Sequence, residues 1–139
     1  MKSKFFKKSK IKILIICRSK SKRLPNKIKK KINGFSLIEI LIKRLLVKFE
    51  PKDIVICTSV LEKKKFFKDI KSKFKINIFF GSDQNLFKRV LDCSKIINFS
   101  HFVRITGDNP LTCGDSIIKI SQKHIKQKND FTYVNSLPH

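Results

Sequence analysis

Residues 11–27 read IKILIICRSKSKRLPNK, and two stretches of opposite character meet at Cys17. Ile11–Cys17 is apolar apart from Lys12 and rich in isoleucine, whose branched Cβ suits an extended, pleated backbone. A short run that is apolar on both faces is what a strand of a parallel sheet needs when helices cover it from both sides. The next ten residues carry Arg18, Lys20, Lys22, Arg23 and Lys27, with hydroxyls at Ser19 and Ser21. Pro25 restricts this loop and Leu24 can anchor it to a core. A buried strand that opens into a cationic loop puts positive charge at the carboxyl end of a sheet. In open α/β sheets that is the ligand-binding end.

The rest of the chain repeats the strand and varies the segment after it. Ser36 and Glu39 stand at the capping-box spacing, and Leu37, Ile38, Leu41, Leu45 and Leu46 recur at helical intervals until Pro51 closes the region. Asp53–Ser59 reads as a second strand and Leu61–Phe74 as a helix with Phe66, Phe67, Ile70 and Phe74 on one side. Ile76–Phe80 predicts a third strand, stopped by Gly81-Ser82, and Leu86, Phe87, Val90 and Leu91 begin another helix. His101–Thr106 predicts a fourth strand, stopped by Gly107-Asp108-Asn109-Pro110. Asp115 begins a helix carrying Ile117, Ile118 and Ile125, and Phe131–Asn135 has the pattern of a fifth strand. Alternating strands and helices predict a mainly parallel α/β sheet. The segments to watch are those after each strand: 18–27, 58–59, 81–83 and 107–110.

Composition bounds the possibilities. The chain has 139 residues, 41% of them apolar, which suits one domain with a real core and excludes a disordered tail. No apolar run reaches the roughly 18 residues of a membrane span. Lys+Arg outnumber Asp+Glu by 33 to 10, a formal charge of +23. Such an excess points to nucleic acid or an anionic surface. Against this, 28 of the basic residues are Lys and 5 are Arg, they are spread along the chain, and phosphate readers favour the planar fork of Arg. Compositional drift with a solvated basic face is the competing reading. The four cysteines, Cys17, Cys57, Cys93 and Cys113, form no zinc spacing and read as reduced thiols in a cytoplasm. His101, His124 and His139 have no evident nucleophile partner.

Arg18-x-x-Ser21-x-Arg23-Leu24-Pro25-x-Lys27 after a first apolar strand resembles the signature of the cytidylyltransferases that activate sugar acids. These include the acylneuraminate and 3-deoxy-manno-octulosonate enzymes and the spore-coat-polysaccharide-biosynthesis type. The resemblance continues in order through Asn33-Gly34, Gly81-Ser82 with Leu86 and Arg89, Val103–Leu111, and Asp130–Pro138. It departs at Ile16-Cys17, where the family usually has a small residue, at Asn26, which replaces a glycine, and at Phe35-Ser36, which replaces Lys-Pro.

The resemblance implies a three-layer αβα nucleotidyltransferase fold with a mainly parallel sheet. Residues 1–10 would be a basic N-terminal tail and 11–139 the nucleotide-binding part of the domain. The family domain continues past the position of Pro138, so a shortened copy is expected: a fragment, a truncated frame or a degenerate nucleotide-binding half. By position, Arg18, Ser21, Arg23 and Lys27 would hold CTP, with Ser82 and Arg104 as further nucleotide contacts. Arg18, Lys27 and Asp108 would be catalytic, with Asp108 the ligand for Mg²⁺. The implied reaction transfers CMP from CTP to a sugar acid and releases pyrophosphate, in cell-surface polysaccharide biosynthesis. Read alone, Asp108-Asn109-Pro110 is also an ordinary turn initiator. A basic nucleic-acid-binding module and a nucleotide-sugar-dependent glycosyltransferase stand as alternatives, and a homodimer is left open.

Overall fold

A computed structural model describes residues 2, 3, 5, 6, 9–18 and 26–133. Strand β1 (Ile11–Ile16) is followed by a small hairpin, β2 (Lys31–Ile32) and β3 (Phe35–Ser36), and then by helix α1 (Leu37–Leu46). Next come β4 (Ile54–Ser59), α2 (Lys64–Phe74), β5 (Asn77–Gly81), α3 (Leu86–Ile97), β6 (His101–Thr106) and α4 (Gly114–Lys126). The four long strands pair in the order β5-β4-β1-β6, all parallel.

Alternation along the strands sorts their side chains into two cores. Ile11, Ile13 and Ile15 of β1 join Ile54, Ile56 and Ile105 on one face, under α1, α2 and α4. Leu14, Val55 and Cys57 face the other way and meet Cys93 of α3, with Ile16, Phe79 and Val90 around them. The sheet therefore has helices on both faces, the expected three-layer αβα arrangement. Helix α1 presents Ile38, Leu41, Ile42 and Leu45, all fully buried, at the spacing of one helical face. Each such side chain contributes about 1.5–3 kcal/mol by leaving water. Phe6, within the segment read as a basic tail, is buried with its ring 4.8 Å from that of Phe49.

Beyond shifts of one residue at element ends, three features differ from the sequence reading. The helix expected from Leu61 starts at Lys64. Ser59 intervenes: its hydroxyl accepts the Leu61 N–H at 3.1 Å and its carbonyl accepts the Glu62 N–H at 3.1 Å, which turns the chain before a helix can begin. The hairpin β2–β3 was not expected. Asn33 and Gly34 take φ of 48° and 81°, the two positive values that a tight hairpin turn requires. Finally, Phe131–Tyr133 is not a strand; residues 134 and 135 of that expected element lie outside the described residues. After α4, Lys128 at φ 52° reverses the chain, and Thr132 is tied by its hydroxyl to His124 at 2.9 Å. Among the described residues no helix is long and apolar enough to cross a membrane. All four cysteines are free thiols.

The Ser36–Glu39 cap is present and reaches further than expected. The Ser36 N–H and hydroxyl both donate to one Glu39 oxygen at 2.8 Å, and Lys73 of α2 donates to the other at 2.7 Å. Partial burial raises the Glu39 pKa, but Lys73 and the two Ser36 donors outweigh it and hold the carboxyl at about 2. The folded value lies below the ordinary 4.5, so this stabilisation is full above pH 4.5 and is lost as pH falls towards about 2. Glu39→Ala is expected to cost about 1 kcal/mol at neutral pH. It should also flatten the acid limb of stability across that window, as read from urea midpoints of both proteins against pH.

Candidate active site

The strand order fixes where a ligand can enter. From β1 the chain moves outward through β4 to β5, then returns over the opposite face through α3 to β6. The direction of winding therefore reverses between β1 and β6, and in sheets of this kind a ligand sits beyond the carboxyl ends of the strands at such a reversal. A cavity of about 440 Å³ lies there. Its walls are Cys17 and Arg18 after β1, Lys27 and Ile28 beyond the basic loop, Thr106–Asp108 after β6, and Asp83, Gln84, Leu86 and Arg89 at the start of α3.

The floor is set by close packing. A side chain on Gly107 would place its Cβ 2.6 Å from the Cβ of Cys17. The Gly107 N–H donates to the Ile16 carbonyl at 3.0 Å, and the Thr58 hydroxyl donates to the Cys17 carbonyl at 2.8 Å. Burial pushes the Cys17 thiol up to about 12, against the opposing bond from Thr58, so it is a neutral wall atom and not a nucleophile.

The polar edge is a pair. Lys27 Nζ stands 3.0 Å from Asp108 Oδ2, across 81 residues of sequence, with both side chains about two-fifths exposed. Lys27, then the Thr106 hydroxyl, hold the Asp108 carboxyl below its ordinary range, so it is ionised at neutral pH. Buried Ile28 fastens the short 3-10 turn Lys27–Lys29 to the core, and Asn26 enters that turn at φ 57°. A left-handed residue there suits asparagine.

The third wall is the turn into α3. The Ser59 hydroxyl donates to Asp83 Oδ1, the Asn85 N–H donates to the Ser82 hydroxyl at 3.1 Å, and the Asn85 side chain accepts the Lys88 N–H at 2.9 Å. The last bond caps α3.

Of the residues expected from sequence, Arg18, Lys27 and Asp108 line the cavity together. Ser82 stands beside it, its hydroxyl engaged with Asn85. Arg104 pairs in register with Leu14, on the α3 side of the sheet, and is exposed away from the cavity walls. Ser21 and Arg23 lie outside the described residues. Asp83 and Gln84 were not singled out, although the rule that ligands sit beyond strand ends pointed to the segment after β5.

Comparisons with known proteins agree with the fold. A family model described as cytidylyltransferase matches residues 12–138. An uncharacterized protein of Methanocaldococcus jannaschii is 35% identical over 123 residues, covering 88% of this chain and 50% of that protein. The spore coat polysaccharide biosynthesis protein SpsF of Bacillus subtilis is 30% identical over 129 residues, covering 90% of this chain and 54% of that protein. Among solved structures, a cytidylyltransferase from Leptospira borgpetersenii superposes with a TM-score of 0.77 at 29% identity, over 86% of this chain and 50% of that one. CMP:2-keto-3-deoxy-manno-octonic acid synthetase, solved with CTP, superposes with a TM-score of 0.69 at 18% identity, over 86% of this chain and 49% of that one, a likeness of fold. The chain spans about half the length of the curated relatives it matches. With a matched model that runs from β1 to beyond α4, and a parallel sheet whose crevice gathers Arg18, Lys27 and Asp108, the chain belongs to the cytidylyltransferase family.

Proposed function

We propose that this chain binds CTP in the crevice between β1 and β6 and serves transfer of CMP to a sugar acid, with pyrophosphate leaving. The observation that carries this is the convergence of Arg18, Lys27 and an ionised Asp108 on one cavity of about 440 Å³ at the carboxyl end of the sheet. That size suits a small molecule such as a mononucleotide. In the reaction a sugar hydroxyl oxygen bonds to the α-phosphorus and gives up its proton to solvent, the bond from that phosphorus to the bridging oxygen breaks, and pyrophosphate carries away the electron pair. Little covalent work falls to the protein in such a transfer; positioning and charge stabilisation dominate. Arg18 and Lys27 serve as cations for the phosphates, and Ser21 and Arg23 belong to the same proposal through the family motif. The sugar-acid side and the role in polysaccharide biosynthesis rest on the family alone.

The donor set fits Mg²⁺. Among the described residues no three His, Cys, Asp or Glu side chains gather as a cage. Mg²⁺ needs none, since it commonly takes one or two carboxylates and completes its shell with water and phosphate oxygens. Asp108 would hold it, and the ion would supply charge neutralisation at the phosphates. Lys27 holds the Asp108 carboxylate in its ionised form and keeps it at the mouth of the cavity.

Calorimetric titration with CTP and Mg²⁺ at moderate salt tests the proposal, with ATP, GTP and a short RNA as controls. Preferential binding of CTP is expected. Equal weak binding of every polyanion, falling steeply with salt, would mean that the +23 charge acts without a nucleotide site.

A further inference from the structure

We propose that Arg89 is a positioning residue that clamps the Ser82–Asp83 turn from inside the fold and so sets the third wall of the cavity. Arg89 sits in α3 and is 4% exposed. Arginine is rarely buried to that degree without a carboxylate, yet among the described residues Arg89 makes no ion pair. Its bonds go to backbone instead: Nε donates to the Ser82 carbonyl at 2.7 Å and Nη2 to the Asp83 carbonyl at 3.2 Å. Burying a cation for two carbonyl bonds stabilises a fold less than an apolar side chain of the same size would. What the cation provides is geometric. The rigid fork of the guanidinium ties two successive carbonyls to one helix, which a single ammonium cannot do.

The surroundings are built for that reach. A Cβ on Gly81 would lie 2.6 Å from Arg89 Cγ and 2.6 Å from Phe79 Cε1, so the arginine stem fills the space a side chain at 81 would need. The Ser59 hydroxyl holds the Asp83 carboxylate while Arg89 holds the Asp83 carbonyl. Asp83 is thus restrained at both its side chain and its backbone, and it faces the cavity with Gln84 beside it.

The proposal rests on the cavity being the nucleotide site, and the test separates the two. Arg89→Met and Arg89→Lys are compared with the parent protein by amide hydrogen exchange and by CTP titration. Exchange at 83–85, including the Asn85 amide held by Ser82, should quicken by about tenfold or more relative to the rest of α3, the loss of one charge-assisted bond. CTP affinity should fall about tenfold in Arg89→Met and less in Arg89→Lys, and the preference for CTP over UTP should narrow. Exchange that quickens evenly along α3, or is unchanged at 83–85, overturns the clamp, as does unchanged CTP affinity in a parent that binds CTP. A parent that binds no nucleotide defeats the nucleotide reading alone, and the exchange pattern still judges Arg89. If Arg89→Met fails to fold, Arg89→Lys decides by the same comparison.

Discussion

Asp108→Asn is expected to weaken CTP binding in Mg²⁺ by a hundredfold or more and to strengthen it slightly in EDTA. The two signs come from one carboxylate with two partners. On the proposed function, Asp108 is the charged group that would tie the ion to the fold. Losing even an outer-shell partner of a metal ligand commonly costs about 10–100-fold in metal affinity, and losing the ligand itself costs at least as much. Without the ion, Asp108 only competes with phosphate for Lys27, 3.0 Å away. Its neutral replacement frees that lysine, a gain of up to about fivefold, since an exposed pair is worth about 0.2–1 kcal/mol. The same small figure means that stability should barely change, so a drop in melting temperature cannot explain the loss. The pH dependence comes from the depressed pKa. Lys27 and Thr106 keep the folded carboxyl ionised below its ordinary 3.8, so the ratio of parent to Asp108→Asn affinity in Mg²⁺, in which the titration of CTP itself cancels, should stay level as pH falls to that value and shrink only beneath it. Equal losses with and without Mg²⁺ would make Asp108 a turn residue and nothing more.

What could be read beforehand divides along physical lines. The run Ile11–Cys17 was legible because a strand buried on both faces must be apolar at every position, and only Lys12 departs, standing 3.9 Å from buried Asp53. The Ser36–Glu39 cap was legible because it is local. The hairpin at 31–36 carried its own signal, Asn33-Gly34, but two-residue strands leave no alternation to read on either side of it. The late start of α2 turns on Ser59 capturing two amides, a competition that helical spacing of phenylalanines does not reveal. For the site, the loops were legible from their place after strands, and the partnerships within them were not. Lys27 and Asp108 are 81 residues apart, and their contact exists only because β1 and β6 are neighbours. Arg104 belongs to a recognisable motif, yet strand alternation turns it to the α3 side of the sheet. Arg89 is one of the 5 arginines in the chain, and no pattern marks a cation as buried until the helix that carries it is placed.

Gly107→Ala should show the largest structural effect in the site, because the new side chain would collide with the chain leaving β1. The new Cβ would meet the Cβ of Cys17 at 2.6 Å and Ile28 Cγ2 at 3.5 Å. The first contact cannot be relieved by rotating a side chain, since a Cβ moves only with its backbone. That backbone is held on every side: the Cys17 carbonyl by Thr58 at 2.8 Å, the Cys17 N–H by the Cys57 carbonyl at 3.4 Å, and the Gly107 N–H by the Ile16 carbonyl at 3.0 Å. The ends of β1 and β6 must therefore spread, at a cost of about 1–3 kcal/mol for overpacking. Spreading them also parts Arg18 from Asp108, so CTP affinity should fall together with stability. A second substitution isolates the cause. Cys17→Gly removes the opposing Cβ and should recover most of the loss in the double variant, with a coupling above about 1 kcal/mol in urea unfolding. Cys17→Ala keeps the Cβ and removes only the sulfur, which lies 3.6 Å from the built atom, so it should recover little. Rescue by alanine as good as rescue by glycine would place the strain at the sulfur, and simple additivity in both cycles would show that the strand ends do not meet there.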